Sequence, residues 1–451
     1  MQIYLTAKIA EGAKMWRKLF TFLCVLCVLC GKFAVAAGAA QNPLDPFAPY
    51  LDERAPAIVR EINDGAAQQG SAVTVRRVVF KSRTIQTKEG PQDSLVYAVI
   101  ARPKADGTYP GMLVLHGGKG CAEEAKAVAW AARGYIAVAP DLPGIADPEK
   151  IPNSTGPWKL PYGAGRWIAE PDVTKSVIFD GELAAVQSLY LLRSQPEVMR
   201  DRIGVVGVSW GGYTTAMVCG LTGSDVKAAF ALYGCGFYDR EPGSQMGKGL
   251  DAMPDAQRQR WLTWLDAGRR AGGIKAAYFI GAASNDIYFY PSAVNATLAE
   301  IASEKNQVYS PNSAHQLPVP GGTGDGAGPA NYTKMEIDYF GWQLKGEGKP
   351  FPTVTILGSP KQAGLNGTMV VRFAVEGGLE IQPPHVYYSI ANAEWPMRKW
   401  EAVPATSLGR NTYEAGLPFP AGEADWFALV SDTRSVSVSS PMEHYPARLS
   451  K

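Results

Sequence analysis

The segment Gly207-Val208-Ser209-Trp210-Gly211 decides the predicted fold of this 451-residue chain. It follows an apolar stretch over 202–206 that is typical of a buried strand, and it precedes a helical run over 210–220. A Gly-x-Ser-x-Gly turn between a strand and a helix is the setting of a nucleophile elbow, which lifts the serine hydroxyl clear of the sheet. The helix N-terminus also brings partial positive charge to that hydroxyl. The alternative is a glycine-rich turn with an incidental serine, so the hypothesis requires a base and an acid elsewhere.

Strand and helix patterns alternate on both sides of this turn, from about residue 72 to residue 347. Such alternation predicts right-handed crossovers and a mainly parallel, doubly wound α/β sheet. Ligands bind such sheets at the carboxyl ends of the strands. The predicted strands are 73–80, 95–101, 112–115, 135–139, 203–208, 227–233, 274–280 and 307–310, and the predicted helices are 51–63, 122–132, 177–192, 210–220, one beginning at Pro291, and 332–344.

The pattern changes near residues 346–350, beyond which helical periodicity disappears. Short β runs separated by turn residues then predict a small Ig-like β-sandwich. The chain is therefore expected to have four parts, namely a signal peptide over 1–40 with cleavage near 36–41, an N-terminal leader and helix over 41–71, an α/β catalytic domain over 72–347, and a C-terminal β-rich domain over 350–451.

The N-terminal residues have the composition of an export signal. A basic patch over 14–18, an apolar run over 19–30 and small residues over 34–40 are typical of a secretory signal peptide. The apolar run is shorter than the roughly 20 residues that a spanning helix needs. We therefore predict a secreted or periplasmic protein with no stable membrane span. The formal net charge of +2 gives no indication of a nucleic-acid partner.

The serine needs a base, and in enzymes that base is most often a histidine. The chain contains four histidines. His385 and His444 lie in the β-rich C-terminal region, whereas His116 precedes the serine in the chain. His315 follows the last predicted strand of the α/β domain. By elimination and by position, His315 is the predicted base.

The third member of the triad is a carboxylate that orients the imidazole, and in this architecture it lies between the serine and the histidine in the chain. Asp286 is the single carboxylate between the predicted strand 274–280 and the helix that begins at Pro291. We predict that Asp286 is this acid. Asp239 and Asp141 are the alternatives.

Two backbone N–H groups are the predicted donors to the tetrahedral oxyanion. One is that of Trp210, the residue after the nucleophile, and the other is that of Gly118, with Gly117 as the alternative. Both glycines follow the predicted strand 112–115, and glycine lets a backbone approach the substrate oxygen closely. His116 is expected to shape this turn rather than to transfer protons.

Several aromatic residues are further candidates for a place near the site. Trp158, Tyr162 and Trp167 are expected to form its wall, whereas Trp261 and Trp264, at helical spacing, are more typical of core packing. Outside the predicted signal peptide the sequence contains no His-Glu-x-x-His and no Cys-x-x-Cys pair. No metal and no cofactor are therefore predicted.

The predicted α/β domain resembles a known superfamily. Residues from about 72 to 347 are similar to α/β-hydrolases, in the branch of acetyl xylan esterases, dienelactone hydrolases and prolyl oligopeptidase-like enzymes. The similarity rests on His116-Gly117-Gly118, on the elbow extended through Gly212 and Tyr213, on Tyr233-Gly234-Cys235-Gly236-Phe237, and on Asp286 and His315. The two longer motifs are most similar to secreted bacterial acetyl xylan esterases, which implies deacylation of a polysaccharide through an acyl-enzyme. The chain departs from the family pattern at Gln316-Leu317-Pro318, which separate the histidine from the glycines that follow.

The resulting hypothesis is a secreted serine carboxylesterase that acts on acylated carbohydrate or on small esters. One alternative is a prolyl oligopeptidase-like peptidase. Such enzymes gate the site with a large N-terminal β-propeller, for which the about 30 residues between the predicted cleavage and the first strand leave no room. The other alternative is a non-catalytic glycan-binding protein with a hydrolase shell, but inactive relatives usually lose a triad member and this chain keeps all three.

Overall fold

The computed structural model describes residues 45–62, 72–315, 329–363, 368–391, 393–418 and 423–446. The predicted signal peptide over 1–40 lies outside the described residues. From Pro49 onward the chain forms one compact unit. A search of the described helices finds none with the length and apolar character needed to cross a membrane.

The strands and helices follow the alternating pattern of the sequence. The strands are β1 Ile58–Glu61, β2 Val73–Thr87, β3 Gly90–Pro103, β4 Tyr109–Leu115, β5 Ile136–Pro140, β6 Val198–Val208, β7 Ala228–Leu232, β8 Ala277–Ala283, β9 Lys305–Ser310, β10 Thr353–Ile356, β11 Lys361–Ala363, β12 Thr368–Glu376, β13 His385–Ile390, β14 Glu401–Pro404, β15 Thr406–Gly409, β16 Thr412–Pro418, β17 Ala424–Ser431, β18 Ser437–Ser439 and β19 Glu443–Tyr445. The α-helices are α1 Glu124–Ala132, α2 Val177–Arg193, α3 Trp210–Thr222, α4 Gln245–Asp251, α5 Asp255–Leu265, α6 Ala267–Arg270, α7 Pro291–Glu300 and α8 Pro329–Phe340, the last followed by a π-helical turn over Gly341–Lys345.

The central sheet is mainly parallel where the sequence predicts it. Its strand order begins β1-β2-β3-β5-β4-β6-β7-β8-β9. The pairs from β5 through β9 are all parallel, whereas β1, β2 and β3 form an antiparallel edge. The chain leaves β4 toward β5 on one side and continues in β6 on the other side. The loops after β4 and β6 therefore lie at a topological switch point, where α/β sheets bind ligands.

The helix predicted over 51–63 is wrong. Its described part contains the strand β1, which pairs antiparallel with β2 at the edge of the sheet. Pro56 disfavours helical backbone at the residue before it, and Ile58 and Val59 are β-branched. The free edge of β2 supplies backbone hydrogen-bond partners that a local sequence pattern does not reveal, so the segment pairs as a strand.

The region after residue 350 is rich in β structure, as predicted, and it forms two sheets. Strands β10, β11, β12, β15 and β16 make a separate antiparallel sheet, whereas β13, β14, β17, β18 and β19 continue the central sheet. The continuation runs through a single paired position, Ser439 of β18 with Gln307 of β9. In β12 burial alternates along the strand, so one face of the separate sheet is covered. The C-terminal region is thus joined edge to edge to the strand that precedes His315.

A buried carboxyl group lies behind the helix that follows Ser209. Helix α2 is buried over almost its whole length, and Glu182 on it is 0% exposed. Its Oε1 accepts a hydrogen bond from Thr214 Oγ1 of α3 at 2.8 Å, and among the described residues its Oε2 has no partner. Burial raises the pKa of Glu182 from 4.5 to about 8. The folded protein therefore keeps this carboxyl group neutral at pH 7.

Glu182 makes the stability of the fold depend on pH. Since the folded pKa of about 8 lies above the ordinary value of 4.5, the folded state holds a proton that the unfolded chain releases. This contribution is complete below pH 4.5 and is lost as pH rises through 8; by pH 7 the loss is about 3 kcal/mol. Glu182→Gln keeps an acceptor for Thr214 and should remove that decline, measured as the free energy of unfolding in urea at pH 5 and pH 8. The exposed Glu89→Gln is the matched control, and parallel pH curves for wild type and Glu182→Gln would contradict the assignment.

Candidate active site

Ser209 lies in a sharp turn between β6 and α3. The strand ends at Val208 and the helix begins at Trp210, so Ser209 is the single residue between them. Its backbone has φ +58° and ψ −119°. A non-glycine residue adopts such a conformation at a cost on the order of 1–3 kcal/mol. The Ser209 N–H donates to the Leu232 carbonyl at 2.7 Å, which ties the turn to the end of β7.

Two glycines leave room for this turn. A Cβ on Gly207 would overlap the Gly211 carbonyl group, and a Cβ on Gly211 would overlap the carbonyl oxygen of Leu115 at the end of β4. Neither neighbour can yield, because both obstacles are backbone in a packed sheet and helix. Both glycines of the Gly-x-Ser-x-Gly pattern are therefore required by the packing of the turn.

The structure brings Ser209, His315 and Asp286 together. His315 Nε2 lies 2.9 Å from Ser209 Oγ, and His315 Nδ1 lies 2.7 Å from Asp286 Oδ2. The three residues follow β6, β9 and β8, whose carboxyl ends meet at one edge of the sheet. A carboxylate accepts hydrogen bonds, so Nδ1 donates to Asp286 and Nε2 is left as the acceptor that faces the serine hydroxyl.

Asp286 is held by the backbone that follows it. Its side chain is 0% exposed. Its Oδ1 accepts from the N–H groups of Tyr288 at 2.7 Å and Phe289 at 3.2 Å, which leaves Oδ2 for His315. Because a buried carboxylate is costly unless it is hydrogen-bonded, these contacts stabilise its charge and fix its orientation.

Three aromatic rings surround the imidazole of His315. The ring of Tyr233 lies 4.2 Å from it between centroids, that of Tyr288 lies 4.8 Å away edge-on, and that of Phe289 lies 5.9 Å away. Tyr288 is 38% exposed, so it lies at the mouth of the site. The sequence motif that contains Tyr233 was noted for its resemblance alone, and its contact with the histidine comes from the structure.

The loop after β4 lies beside the serine. A Cβ on Gly117 would lie 3.5 Å from the Cβ of Ser209, and a Cβ on Gly118 would lie 2.9 Å from the indole Cδ1 of Trp210. Trp210 is the first residue of α3, and the first N–H groups of a helix have no partner within it. The backbone of this loop therefore packs against Ser209 and against the first residue of α3.

His116 is a buried, neutral part of this loop. Its Nδ1 lies 2.7 Å from the Gly117 carbonyl oxygen, and its Nε2 accepts from the Leu142 N–H at 2.9 Å. Burial lowers its pKa from 6.5 to about 4. Both ring nitrogens thus bind backbone groups, in agreement with the prediction that His116 shapes the turn.

The aromatic residues expected to form a wall separate into two groups. The hydroxyl of Tyr162 approaches the Gly118 backbone, and the ring of Trp167 lies 6.4 Å from that of Trp210. Trp158 instead packs in a separate core cluster with Ala146, Ile151 and Val177, and it donates to Ser94. Trp261 is fully buried, which agrees with the core packing expected for it.

The alternative acids have other partners. Asp239 pairs with Arg269 at 2.8 Å. Asp141 accepts from the Ala122 N–H at 2.8 Å and from Ser154 Oγ at 2.7 Å, and burial raises its pKa to about 6. The two histidines of the C-terminal region lie on its strands β13 and β19. In the described ranges, no three His, Cys, Asp or Glu side chains form a group that could hold a metal ion.

Two asparagines near Asp286 and His315 make contacts that the sequence patterns do not predict. Asn285 precedes Asp286, and Asn312 precedes His315 by three residues. The side-chain amides of both bind backbone groups of the C-terminal region, over residues 395–400. An asparagine in a turn usually binds its own backbone, so nothing in the sequence pointed to these contacts.

The fold and the comparisons with known proteins agree. Residues 96–253 match the model of the dienelactone hydrolase family. The chain has the α/β-hydrolase fold. The resemblance that the sequence motifs indicated is thereby confirmed, and the chain adds a β-rich C-terminal region to the fold. No curated protein sequence matches the chain.

Solved structures similar to this chain include two acetyl xylan esterases. The enzyme from Paenibacillus sp. R4 has a TM-score of 0.50 and 19% identity, over 63% of this chain and 88% of its own. Acetyl xylan esterase 1 from Thermoanaerobacterium sp. JW/SL YS485 has a TM-score of 0.51 and 20% identity, over 65% of this chain and 91% of its own. The acylaminoacyl peptidase of Pyrococcus horikoshii has a TM-score of 0.45 and 16% identity, over 62% of this chain and 43% of its own.

Gly211→Ala should prevent the turn at Ser209 from forming in its present geometry. The added Cβ would overlap the Leu115 carbonyl oxygen, so β4 and α3 must separate. We expect a loss of several kcal/mol in the free energy of unfolding, or insoluble protein, measured by urea denaturation. Gly272→Ala is the control for an exposed glycine of the same domain, because Gly272 has no left-handed φ and a Cβ there would come no nearer than 4.0 Å to the Glu300 carbonyl oxygen. A Gly211→Ala protein as stable as the control would show that the packing at the turn is looser than described.

Proposed function

We propose that this α/β hydrolase is a serine carboxylic-ester hydrolase, with Ser209 as the nucleophile, His315 as the base and Asp286 as the orienting acid. The single observation that carries the proposal is the continuous hydrogen-bonded path from Ser209 Oγ through the imidazole to Asp286, at 2.9 and 2.7 Å. A serine hydroxyl is activated by a base whose tautomer is fixed by a third group. The strained elbow supports this assignment, because backbone strain concentrates at functional sites.

Acylation follows from the positions of these atoms. Ser209 Oγ attacks the ester carbonyl carbon while its proton moves to His315 Nε2. The tetrahedral oxyanion then accepts hydrogen bonds from the N–H groups of Trp210 and Gly118. The tetrahedral intermediate collapses, the bond from carbon to the leaving oxygen breaks, and His315 returns its proton to that oxygen. An alcohol departs and the acyl group remains on Ser209.

Deacylation repeats these steps with water. His315 Nε2 takes a proton from a water molecule, whose oxygen attacks the acyl carbon. The second tetrahedral intermediate collapses with return of the proton to Ser209 Oγ, and a carboxylic acid is released. Asp286 keeps its negative charge throughout and stabilises the imidazolium in both halves.

The proposed substrates are acylated polysaccharides, acetylated xylan among them, and the proposed location is outside the cytoplasm. Two similar solved structures are acetyl xylan esterases. Tyr162 and Tyr288 are 37% and 38% exposed, and they lie near Gly118 and His315 respectively. Exposed aromatic faces of this kind present apolar surface beside polar edges, which suits a sugar ring. The signal-like composition over 1–40 supports export.

Ser209→Ala, His315→Ala and Asp286→Asn test the roles of the triad. On p-nitrophenyl acetate the first two should reduce kcat to near background, a loss on the order of 10⁶-fold. Asp286→Asn should lower kcat by about 10⁴-fold, because the asparagine favours the wrong tautomer of the imidazole. His385→Ala, in β13 of the C-terminal region, is the matched histidine control and should keep wild-type kcat. Full activity in Ser209→Ala would refute the nucleophile assignment.

The substrate class is tested by direct competition between ester and amide. We expect the wild-type protein to release acetate from acetylated xylan and to release little amine from prolyl-naphthylamides, with both products quantified in parallel. Ser209→Ala serves as the blank for each substrate. Faster release of amine than of acetate would favour a peptidase, and release of neither, with intact binding to xylan, would favour a glycan-binding protein.

A further inference from the structure

We infer that residues 395–400 of the C-terminal region, hereafter the clamp loop, position the acid and the base of the site through Asn285 and Asn312. The inference rests on the proposed function, since it gives these contacts a role in the same reaction. Asn285 and Asn312 are then positioning residues, which act through Asp286 and His315. The C-terminal β-rich region thereby gains a function in catalysis in addition to packing.

Asn285 joins the loop of the acid to the clamp loop. Its Nδ2 donates to the carbonyl oxygen of Trp395 at 3.0 Å and to that of Arg398 at 2.6 Å. Asn285 is 8% exposed, and its backbone N–H donates to the Ser313 carbonyl at 2.9 Å. One residue thus connects the acid loop to the base loop through its main chain and to the clamp loop through its side chain.

Asn312 joins the loop of the base to the same clamp loop. Its Nδ2 donates to the Trp400 carbonyl oxygen at 2.8 Å, and its Oδ1 accepts from the Trp400 N–H at 2.8 Å. The amide therefore pairs with both backbone groups of one residue, as a neighbouring strand would. Its backbone φ of +52° is left-handed, a conformation that asparagine tolerates better than most residues.

The clamp loop is itself fixed to the C-terminal strands. The guanidinium of Arg398 lies 3.7 Å from the ring centroid of Trp395 and forms a buried ion pair with Asp425 of β17. The ring of Trp400 lies 5.2 Å from that of Phe427, also on β17. Because both anchors belong to β17, these contacts attach the clamp loop to that strand.

These contacts restrain two residues that lie outside the strands of the parallel sheet. Asp286 and His315 are carried by loops, whereas a reacting group must be held within a few tenths of an ångström of its productive position. A misplacement of about 1 Å can cost on the order of 10²-fold in rate. The clamp loop contacts both loops within four residues of the acid or the base, so it restricts the distance between them.

The chain offers a matched contact that lies away from the acid and the base. Asn295 of α7 donates from Nδ2 to the Met442 carbonyl oxygen at 3.2 Å and accepts from the Met442 N–H at 3.2 Å. It thus makes the same two-bond pairing with the C-terminal region that Asn312 makes. If such pairings serve packing alone, removal of either asparagine has the same consequence.

The experiment compares Asn285→Ala, Asn312→Ala and Asn295→Ala in the full chain. We measure kcat and KM on p-nitrophenyl acetate, the rate at which a fluorophosphonate labels the serine, and the melting temperature. Asn285→Ala and Asn312→Ala should lower kcat and the labelling rate by about 10- to 100-fold, with KM within about two-fold of wild type. Asn295→Ala should lower the melting temperature similarly and keep wild-type kcat.

A wild-type kcat in all three variants would overturn the inference. So would a loss of kcat in Asn295→Ala as large as that in Asn285→Ala and Asn312→Ala. If Asn312→Ala does not fold, Asn312→Asp is the deciding variant. It keeps the acceptor for the Trp400 N–H and loses the donor to the Trp400 carbonyl oxygen. Its kcat should fall while the protein remains folded, and a wild-type kcat would overturn the inference. The labelling of wild type separates this result from the proposed function. An unlabelled wild-type protein contradicts the serine hydrolase itself, whereas a labelled wild type with equally reactive asparagine variants contradicts the clamp alone.

Discussion

The backbone of Ser209, held at a positive φ between β6 and α3, is the constraint on which the rest of the site depends. A serine relaxes to ordinary backbone angles unless its surroundings prevent it. Here the hydrogen bond from its N–H to Leu232 and the close approach of Gly211 to the Leu115 carbonyl hold the turn from two neighbouring strands. The strain is thus sustained by the parallel sheet, and the same sheet brings the loop after β4 beside the hydroxyl.

Burial determines the charge of the groups around that turn. His116 and Glu182 are both fully buried, and burial favours the neutral form of each. It lowers the pKa of His116 and raises the pKa of Glu182. Asp286 is equally buried, but it accepts two backbone N–H groups as well as the imidazole. His116 and Glu182 are therefore neutral at pH 7, whereas fixed hydrogen-bond donors surround the Asp286 carboxylate. These donors bind Oδ1 of Asp286, so its Oδ2 is the atom that binds His315.

The C-terminal region extends this arrangement beyond the hydrolase sheet. Its strand β18 pairs with β9, the strand that leads to His315, and its clamp loop binds the two asparagines beside the acid and the base. Both contacts bear on the segments that are least constrained by the parallel strands. A loop gains precision when backbone groups of a second element satisfy its polar side chains, because each such bond restricts its position without changing the chemistry.

The sequence by itself determined the alternating strands and helices, the elbow at Ser209 and the choice of His315 and Asp286 as the residues that join it by hydrogen bonds, since each depends on local periodicity or on chain order. It did not determine β1, where local residues suggested a helix, nor the full length of the β2–β3 hairpin, whose polar half includes Arg83 buried against Asp180. It also gave no sign that Asn285 and Asn312 bind residues about 90 to 110 positions away. These features needed the tertiary structure, because a free strand edge, a buried ion pair and a backbone carbonyl from a distant loop are partners that no local pattern contains.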